Sequence, residues 1–146
     1  MLLPDVNVLV YAHRADAVEH AAYARWLTDL VTGDAPFALA EEVLASFVRI
    51  VTNPRIFTLP TPLAAALAFG DELLACPGCR IINPGPRRWS IFGRLAAATS
   101  ATGKLVPDAW LAALAIETGC ELATADHDFA RFPDLRWHHP LTPRQP

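Results

Sequence analysis

At 146 residues and 53% hydrophobic side chains, with a mean hydropathy of +0.26, the chain is sized for a single domain (1–146) with a substantial core of its own. A net charge of −3 and a pI near 5.9 exclude a polycation that grips nucleic acid by bulk charge, and no apolar run reaches the length of a membrane span. Its 3 cysteines, an odd number, exclude a disulfide scaffold, and without a charged leader before a short apolar stretch the expectation is a cytoplasmic protein.

The chain opens on Met1-Leu2-Leu3-Pro4-Asp5-Val6-Asn7-Val8-Leu9-Val10, whose first part reads as a buried strand and whose continuation from Val6 to Tyr11 reads as a helix start. Asp5 is the misfit in that run. A carboxylate goes inside only when it is paired, hydrogen-bonded or on a metal, since removing a bare charge from water is costly.

Helical spacing through Val18, Ala21, Ala22, Trp26, Leu27 and Leu30 predicts a second helix, broken at Gly33-Asp34-Ala35-Pro36. Phe37-Ala38-Leu39 predicts a second strand, and Val43, Leu44, Phe47, Val48 and Val51 predict a helix ended by Thr52-Asn53-Pro54. Thr61-Pro62 reads as an N-cap and first helical residue, opening a helix to about Leu74.

Arg80-Ile81-Ile82 predicts a third strand, followed by a helix over about Arg87 to Ala98 with Trp89, Phe92 and Leu95 on its apolar face. After a polar loop from Thr99 to Lys104, Pro107 and Gly119 bracket a further helix. Leu122-Ala123-Thr124 and Leu135-Arg136-Trp137 predict the last strands. Strands alternating with helices imply an α/β fold, three layers deep, around a mostly parallel sheet of four to five strands.

Cys76-Pro77-Gly78-Cys79 has C-x-x-C spacing, yet it follows a helix instead of opening one after a strand, and no second pair completes a zinc site. His13, His20, His127, His138 and His139 show no ligand spacing.

The acids are more informative. Asp5 ends the first strand, Glu41 and Glu42 open the helix after the second, Asp108 opens the Pro107 helix, and Asp126 and Asp128 follow the fourth strand. In a parallel sheet the ligand crevice lies beyond the carboxyl ends of the strands, so these acids can converge. Clustered carboxylates without a thiol or imidazole set suit Mg²⁺, with Mn²⁺ as substitute, and such ions activate water against a phosphodiester. Preference for negative charge at a helix N-terminus also accounts for Glu41, Glu42 and Asp108, but not for Asp5.

Asp5-Val6-Asn7-Val8-Leu9, Phe47-Val48-Arg49 before Thr52-Asn53-Pro54, Pro107-Asp108-Ala109, and Thr124-Ala125-Asp126-His127-Asp128-Phe129, in that order, resemble a PIN domain, and more narrowly the VapC-type toxins of toxin–antitoxin pairs. The resemblance covers almost the whole chain. It implies a Mg²⁺-dependent toxic endoribonuclease acting on structured RNA such as tRNA or rRNA, a homodimer, inhibited by a cognate VapB-type antitoxin.

By that resemblance Asp5, Asp108 and Asp126 are metal-binding and catalytic, Asn7 supports the site by hydrogen bonding, and Thr124 assists Asp126. The family's glutamate falls at Ser46. Glu42, one turn earlier on the same helical face, is the preferred fourth acid, with Glu41 close behind; Asp128 either binds a second metal or caps the turn at Phe129, the latter preferred.

Of the 12 basic residues 11 are Arg, and Arg14, Arg49, Arg87, Arg88, Arg94 and Lys104 are the candidates for RNA contact. Arg49 is equally placed to pair with an acid. Trp26, Trp89, Trp110 and Trp137 read as core or interface rather than as stacking platforms. Two rivals use the same residues: a metal-dependent phosphohydrolase or DNA nuclease on this fold, and a binding module that has lost catalysis.

Overall fold

Leu2–Pro4 forms the central strand, β1, of a five-stranded sheet with the order β3-β2-β1-β4-β5, every neighbouring pair parallel. The structure, a computed structural model, describes residues 1–142. The other strands are β2 (Phe37–Leu39), β3 (Cys79–Ile81), β4 (Glu121–Ala123) and β5 (Trp137–His138). Each falls within two residues of its predicted span, the scatter expected where the pairing rather than the apolar run sets the ends.

Helices fill every connection: α1 (Val6–His13) and α2 (His20–Thr32) lead to β2, and α3 (Glu41–Val51) and α4 (Leu63–Ala75) lead to β3. Then α5 (Arg88–Thr99) and α6 (Leu105–Thr118) lead to β4, and a short 3-10 helix at His127–Arg131 precedes β5. The result is the predicted three-layer α/β/α arrangement. Fully buried Leu3, Leu9, Phe37, Phe47, Leu95, Leu114 and Leu122 draw the core from strands and helices alike.

Three boundaries differ from expectation, each for a local reason. Val18 lies outside α2 and is exposed, because Glu19 takes a left-handed conformation (φ 59°) that breaks the helix before His20. Thr61 caps nothing. Its hydroxyl faces inward to Arg14 Nη1 (3.2 Å) and His13 Nε2 (3.1 Å), and Pro62 stands at the cap instead. Finally, α6 starts at Leu105, two residues before Pro107, which is harmless because first-turn N–H groups have no helical partner to lose. Its end matches expectation at Gly119, whose positive φ of 69° suits a residue without Cβ.

The chain leaves β1 for β2 and β3 on one side, then crosses to β4 and β5 on the other. The reversal lies between β1 and β4, so the residues just past them, Asp5 and Thr124 to Asp126, meet at the place where α/β sheets open a crevice. The Asp5 N–H donates to Ala123 O at 2.9 Å and locks the two strand ends together.

Candidate active site

Asp5 is only 4% exposed, and its carboxylate is held by two neighbours in the chain, Val6 and Asn7, and by Thr124 from the far side of the sequence. As N-cap of α1 its Oδ1 accepts the Val6 N–H at 2.6 Å. Its Oδ2 accepts from Asn7 Nδ2 at 2.8 Å and from the Thr124 hydroxyl at 2.7 Å. Asn7 also donates to Thr124 Oγ1 (3.1 Å) and accepts the Ala125 N–H (3.2 Å), so one amide spans α1 and the loop after β4. Burial pushes the Asp5 carboxyl above its usual range, partly opposed by these bonds and reinforced by the nearby Asp126 charge.

Asn7 thus ties the Asp5 carboxylate to the loop after β4. Thr124 does so differently: its hydroxyl serves the Asp5 side chain and accepts the Asp126 backbone N–H at 3.0 Å, rather than assisting the Asp126 carboxylate. Asp126, not Asp128, caps the 3-10 turn, accepting the Asp128 N–H at 2.8 Å. The preferred capping role for Asp128 is therefore corrected; its carboxylate pairs with Lys104 at 2.8 Å, and the pairing holds it below the usual carboxylate range.

Asp108, in the first turn of α6, lines a cleft of about 310 Å³ together with Asp5, Glu42, Ser46 and Arg49. Desolvation, followed by the charges of Asp126 and Asp5, pushes its carboxyl up to about 6. Asp5, Asp108 and Asp126 therefore share one pool of negative charge that Lys104 only partly offsets. Asp5 and Asp108 line the cleft, and Asp126 lies near enough for its charge to act on both.

Glu42 lines the same cleft but is already engaged. Arg88 donates Nη1 to its Oε2 at 2.8 Å and Nη2 to its Oε1 at 2.5 Å. Arg88 also donates to the Trp110 carbonyl, and its Cζ stands over the Trp110 ring, 3.9 Å from its centroid. Arg88 was a candidate for RNA contact; at 3% exposure, with its guanidinium committed to Glu42 and Trp110, it is a wall of the cleft instead. Glu41, the alternative fourth acid, is exposed and does not line the cleft.

Sequence reasoning missed the residue that positions Arg88. Glu117 of α6 accepts the backbone N–H of Gly85 at 2.7 Å and of Arg87 at 2.8 Å, fastening the loop before α5. A Cβ at Gly85 would stand 2.6 Å from the Glu117 carboxylate, so any other residue there would make that side-chain end shift from the two N–H groups it holds. The only sequence signal there is Pro84-Gly85-Pro86, which by itself says that the chain turns into the next helix and nothing of what holds the turn.

Among the other basic candidates, Arg49 is exposed on the cleft wall, Arg87 is exposed at the start of α5, and Lys104 is 77% exposed beside Asp128. Arg14 is buried against Asp16, Leu59 O and Thr61, which removes it from RNA contact, and Arg94 pairs with Asp134 at the surface. Trp89 is 73% exposed, contrary to its expected core position, with its ring tilted on Phe92 and edge-on to Trp110. Cys76 and Cys79 are free thiols just after α4 and at the start of β3.

The donor set facing the cleft is all oxygen, which suits a hard divalent cation. Among the described residues no three carboxylate, imidazole or thiol groups already stand close enough to form a closed cage.

The profile of the PIN domain family matches residues 2–135. The chain belongs to the PIN domain family. This PIN domain is 50% identical over 141 residues to the VapC ribonuclease Mb2897 of Mycobacterium bovis, covering 97% of this chain and 96% of that one. It is 42% identical over 140 residues to ribonuclease VapC31 of Mycobacterium tuberculosis, covering 96% and 99%. Solved structures share the fold at low identity. The toxin in the Rickettsia felis VapBC2 complex, bound to a promoter DNA fragment, superposes with a TM-score of 0.70 at 20% identity, over 94% of this chain and 97% of that one. Mycobacterium tuberculosis VapC20, a sarcin-ricin loop cleaving toxin, gives 0.66 at 16% identity, over 93% and 99%. No helix among the described residues is long and apolar enough to cross a membrane.

Proposed function

We propose that this PIN domain, acting as a single-domain chain in the cytoplasm, is a toxic endoribonuclease that uses Mg²⁺, with Mn²⁺ as substitute, to hydrolyse phosphodiester bonds in structured RNA, tRNA or rRNA above all. A small VapB-type antitoxin holds it inactive, and the toxin works as a homodimer. The observation that carries the reading is the undercompensated charge shared by Asp5, Asp108 and Asp126 at the strand reversal: burial first, and then the other two acids, push the Asp108 carboxyl up to about 6. Half-identical relatives over nearly the whole chain are named ribonucleases, which favours RNA over other phosphodiesters.

Asp5 and Asp108 would hold the ion in the cleft, with Asp126 beside them; Glu42 is kept from it by Arg88 unless that pair opens. When bound, the ion supplies Lewis-acid stabilisation of phosphodiester charge and activates the attacking water. Asn7 and Thr124 keep the Asp5 carboxylate from swinging, so its lone pairs stay aimed at one point. Arg49 and Lys104, exposed around the acids, meet the backbone on either side of the scissile bond.

Purified chain incubated with bulk tRNA and rRNA should cut at defined phosphodiesters with Mg²⁺ or Mn²⁺ and not with EDTA, and Asp108→Asn should not cut. Hydrolysis confined to DNA or small phosphoesters would overturn the reading.

A further inference from the structure

A second cavity, of about 610 Å³, lies beyond α1 from the metal-binding cleft and shares a wall with the acid cluster: Ala125, the residue before Asp126, lines it. Its volume falls within the ~300–1,000 Å³ usual for small-ligand pockets. Asn7 and Tyr11 are one helical turn apart on α1, so one face of that helix leads from the Asp5 network to this cavity, and Arg14, just past the helix, closes its wall.

The walls are aromatic and braced from below. Tyr11 and His139 are half-buried, and Tyr23, 3% exposed, packs against both: its ring centroid is 5.1 Å from that of Tyr11, and its hydroxyl meets His139 Nε2 at 3.3 Å. A rigid, partly open pair of rings is what stacking needs, and it carries little ordering cost.

The cavity is not built for a phosphate. Arg14, its only Lys or Arg, directs Nε and Nη2 to Asp16 (2.9 and 2.6 Å) and Nη1 to Leu59 O and Thr61 (2.8 and 3.2 Å). The exposed groups at the mouth are acceptors instead. Glu19 stands there on a left-handed residue ahead of α2, near enough that its charge adds to burial in pushing the Tyr23 phenol up. Aromatic walls, a carboxylate acceptor and a spent cation select an uncharged planar ring with a donor edge.

We propose that this cavity binds an unpaired nucleobase of the RNA, next to the bond being cut, stacked on Tyr11 and His139 with its donor edge on Glu19; the assignment deepens the ribonuclease reading and rests on it. Guanine fits best, because its adjacent N1–H and N2–H₂ match the two oxygens of one carboxylate, whereas uracil offers a single N–H between two carbonyls. An unstacked base is also how proteins commonly read RNA sequence.

The test has two arms. In the first, guanosine and uridine 5′-monophosphates are titrated in the presence of Mg²⁺ while the Tyr11 and His139 ring signals are followed by NMR. Guanosine should bind at least ~10-fold tighter than uridine, as one good bidentate base contact allows, and Glu19→Gln, an exposed change compatible with folding, should erase the difference. In the second, cut sites in tRNA are mapped for the wild type, Tyr11→Leu, His139→Leu and Glu19→Gln: the preference for a guanine beside the cut should relax while Mn²⁺ affinity stays unchanged.

Equal binding of the two nucleotides, or ring signals that do not move, overturns the assignment; so do variants that cut the same bonds at the same rate, and that result leaves the ribonuclease reading standing. Guanosine selectivity in a protein that cuts no RNA supports the base site and sinks the ribonuclease reading. A cavity indifferent to both nucleotides but covered by a bound protein chain overturns the base site in favour of protein docking.

Discussion

Two charged groups face the same cleft and are treated in opposite ways. On the α3 side Glu42 has a full counter-ion: Arg88 takes both its oxygens, and Trp110 covers the guanidinium. On the strand-reversal side the Asp5 carboxylate takes three neutral donors and, among the described residues, no ion pair, and Asp108 faces the charges of Asp126 and Asp5 with Lys104 offsetting only part of them. A fold that needed only stability could have paired the second group like the first. The compensated pair builds the wall, while the uncompensated acids are the part that the proposed reading assigns to a cation.

Filling the deficit chemically should have the largest effect. Asp108→Asn should lower RNA cleavage more than ~100-fold, since even partners that merely orient a metal ligand cost 10–100-fold. Asp5→Asn should be as damaging to cleavage and worse for the fold. Asp5 accepts on both oxygens, from Val6, Asn7 and Thr124, and a carboxamide has only one acceptor to offer them. Cleavage kinetics beside thermal melts separate the two; wild-type activity in Asp108→Asn would place the chemistry elsewhere.

Breaking the compensated pair should act on stability first. Arg88→Ala leaves Glu42 facing a half-closed cleft without its partner and empties a buried site under Trp110, and should cost on the order of 2–4 kcal/mol in denaturant unfolding. Glu42→Gln in that background should recover part of the loss, a coupling that a double-mutant cycle reads directly. If Glu42 is only the counter-ion of Arg88, Glu42→Gln leaves Mn²⁺ affinity unchanged; a tenfold weaker affinity would make it a ligand that Arg88 guards.

Much of this was legible in sequence because period and placement are local properties. Apolar triplets at Leu2–Pro4 and Phe37–Leu39 announce buried strands, and acids just past strand ends announce a crevice whatever the packing. Pairing across the fold was not legible. Arg88 and Arg49 look alike in the sequence, yet one is buried over Trp110 and the other is exposed, because Glu117 pins the Pro84–Pro86 turn from a helix some thirty residues later. Thr61 failed as a cap for the same reason: a long-range arginine claimed its hydroxyl.

A titration in the absence of metal sharpens the contrast at intermediate size. The folded state holds the Asp108 proton more tightly than the unfolded chain, about 6 against 3.8, so between those values the native state binds more protons. Stability of the metal-free protein should therefore fall as pH rises from about 4 to 6 and stay lower above it, by on the order of 1–2 kcal/mol after solvent screening. Asp108→Asn should remove that loss and melt higher than the wild type at pH 7.5, with the gap closing near pH 4. Divalent cation should abolish the gap by stabilising only the wild type.

The smallest effect is expected where charge is paired but wet. Lys104 reaches Asp128 at 2.8 Å with most of its side chain in solvent, and its ammonium is raised above its usual range by Asp128 first and by the other acids after it. An ion pair so exposed adds little to folding, so Lys104→Ala should leave the melting temperature unchanged. Its loss should nevertheless be seen in RNA binding, where each phosphate contact releases counter-ions: the slope of log affinity against log salt should become shallower by about one. Arg88→Lys makes the matching control. It keeps a cation in the buried wall but cannot fork onto Glu42, so stability should drop while the salt slope stays the same. A slope that changed with Arg88 and not with Lys104 would exchange the two roles, placing the wall on the RNA and the exposed lysine off it.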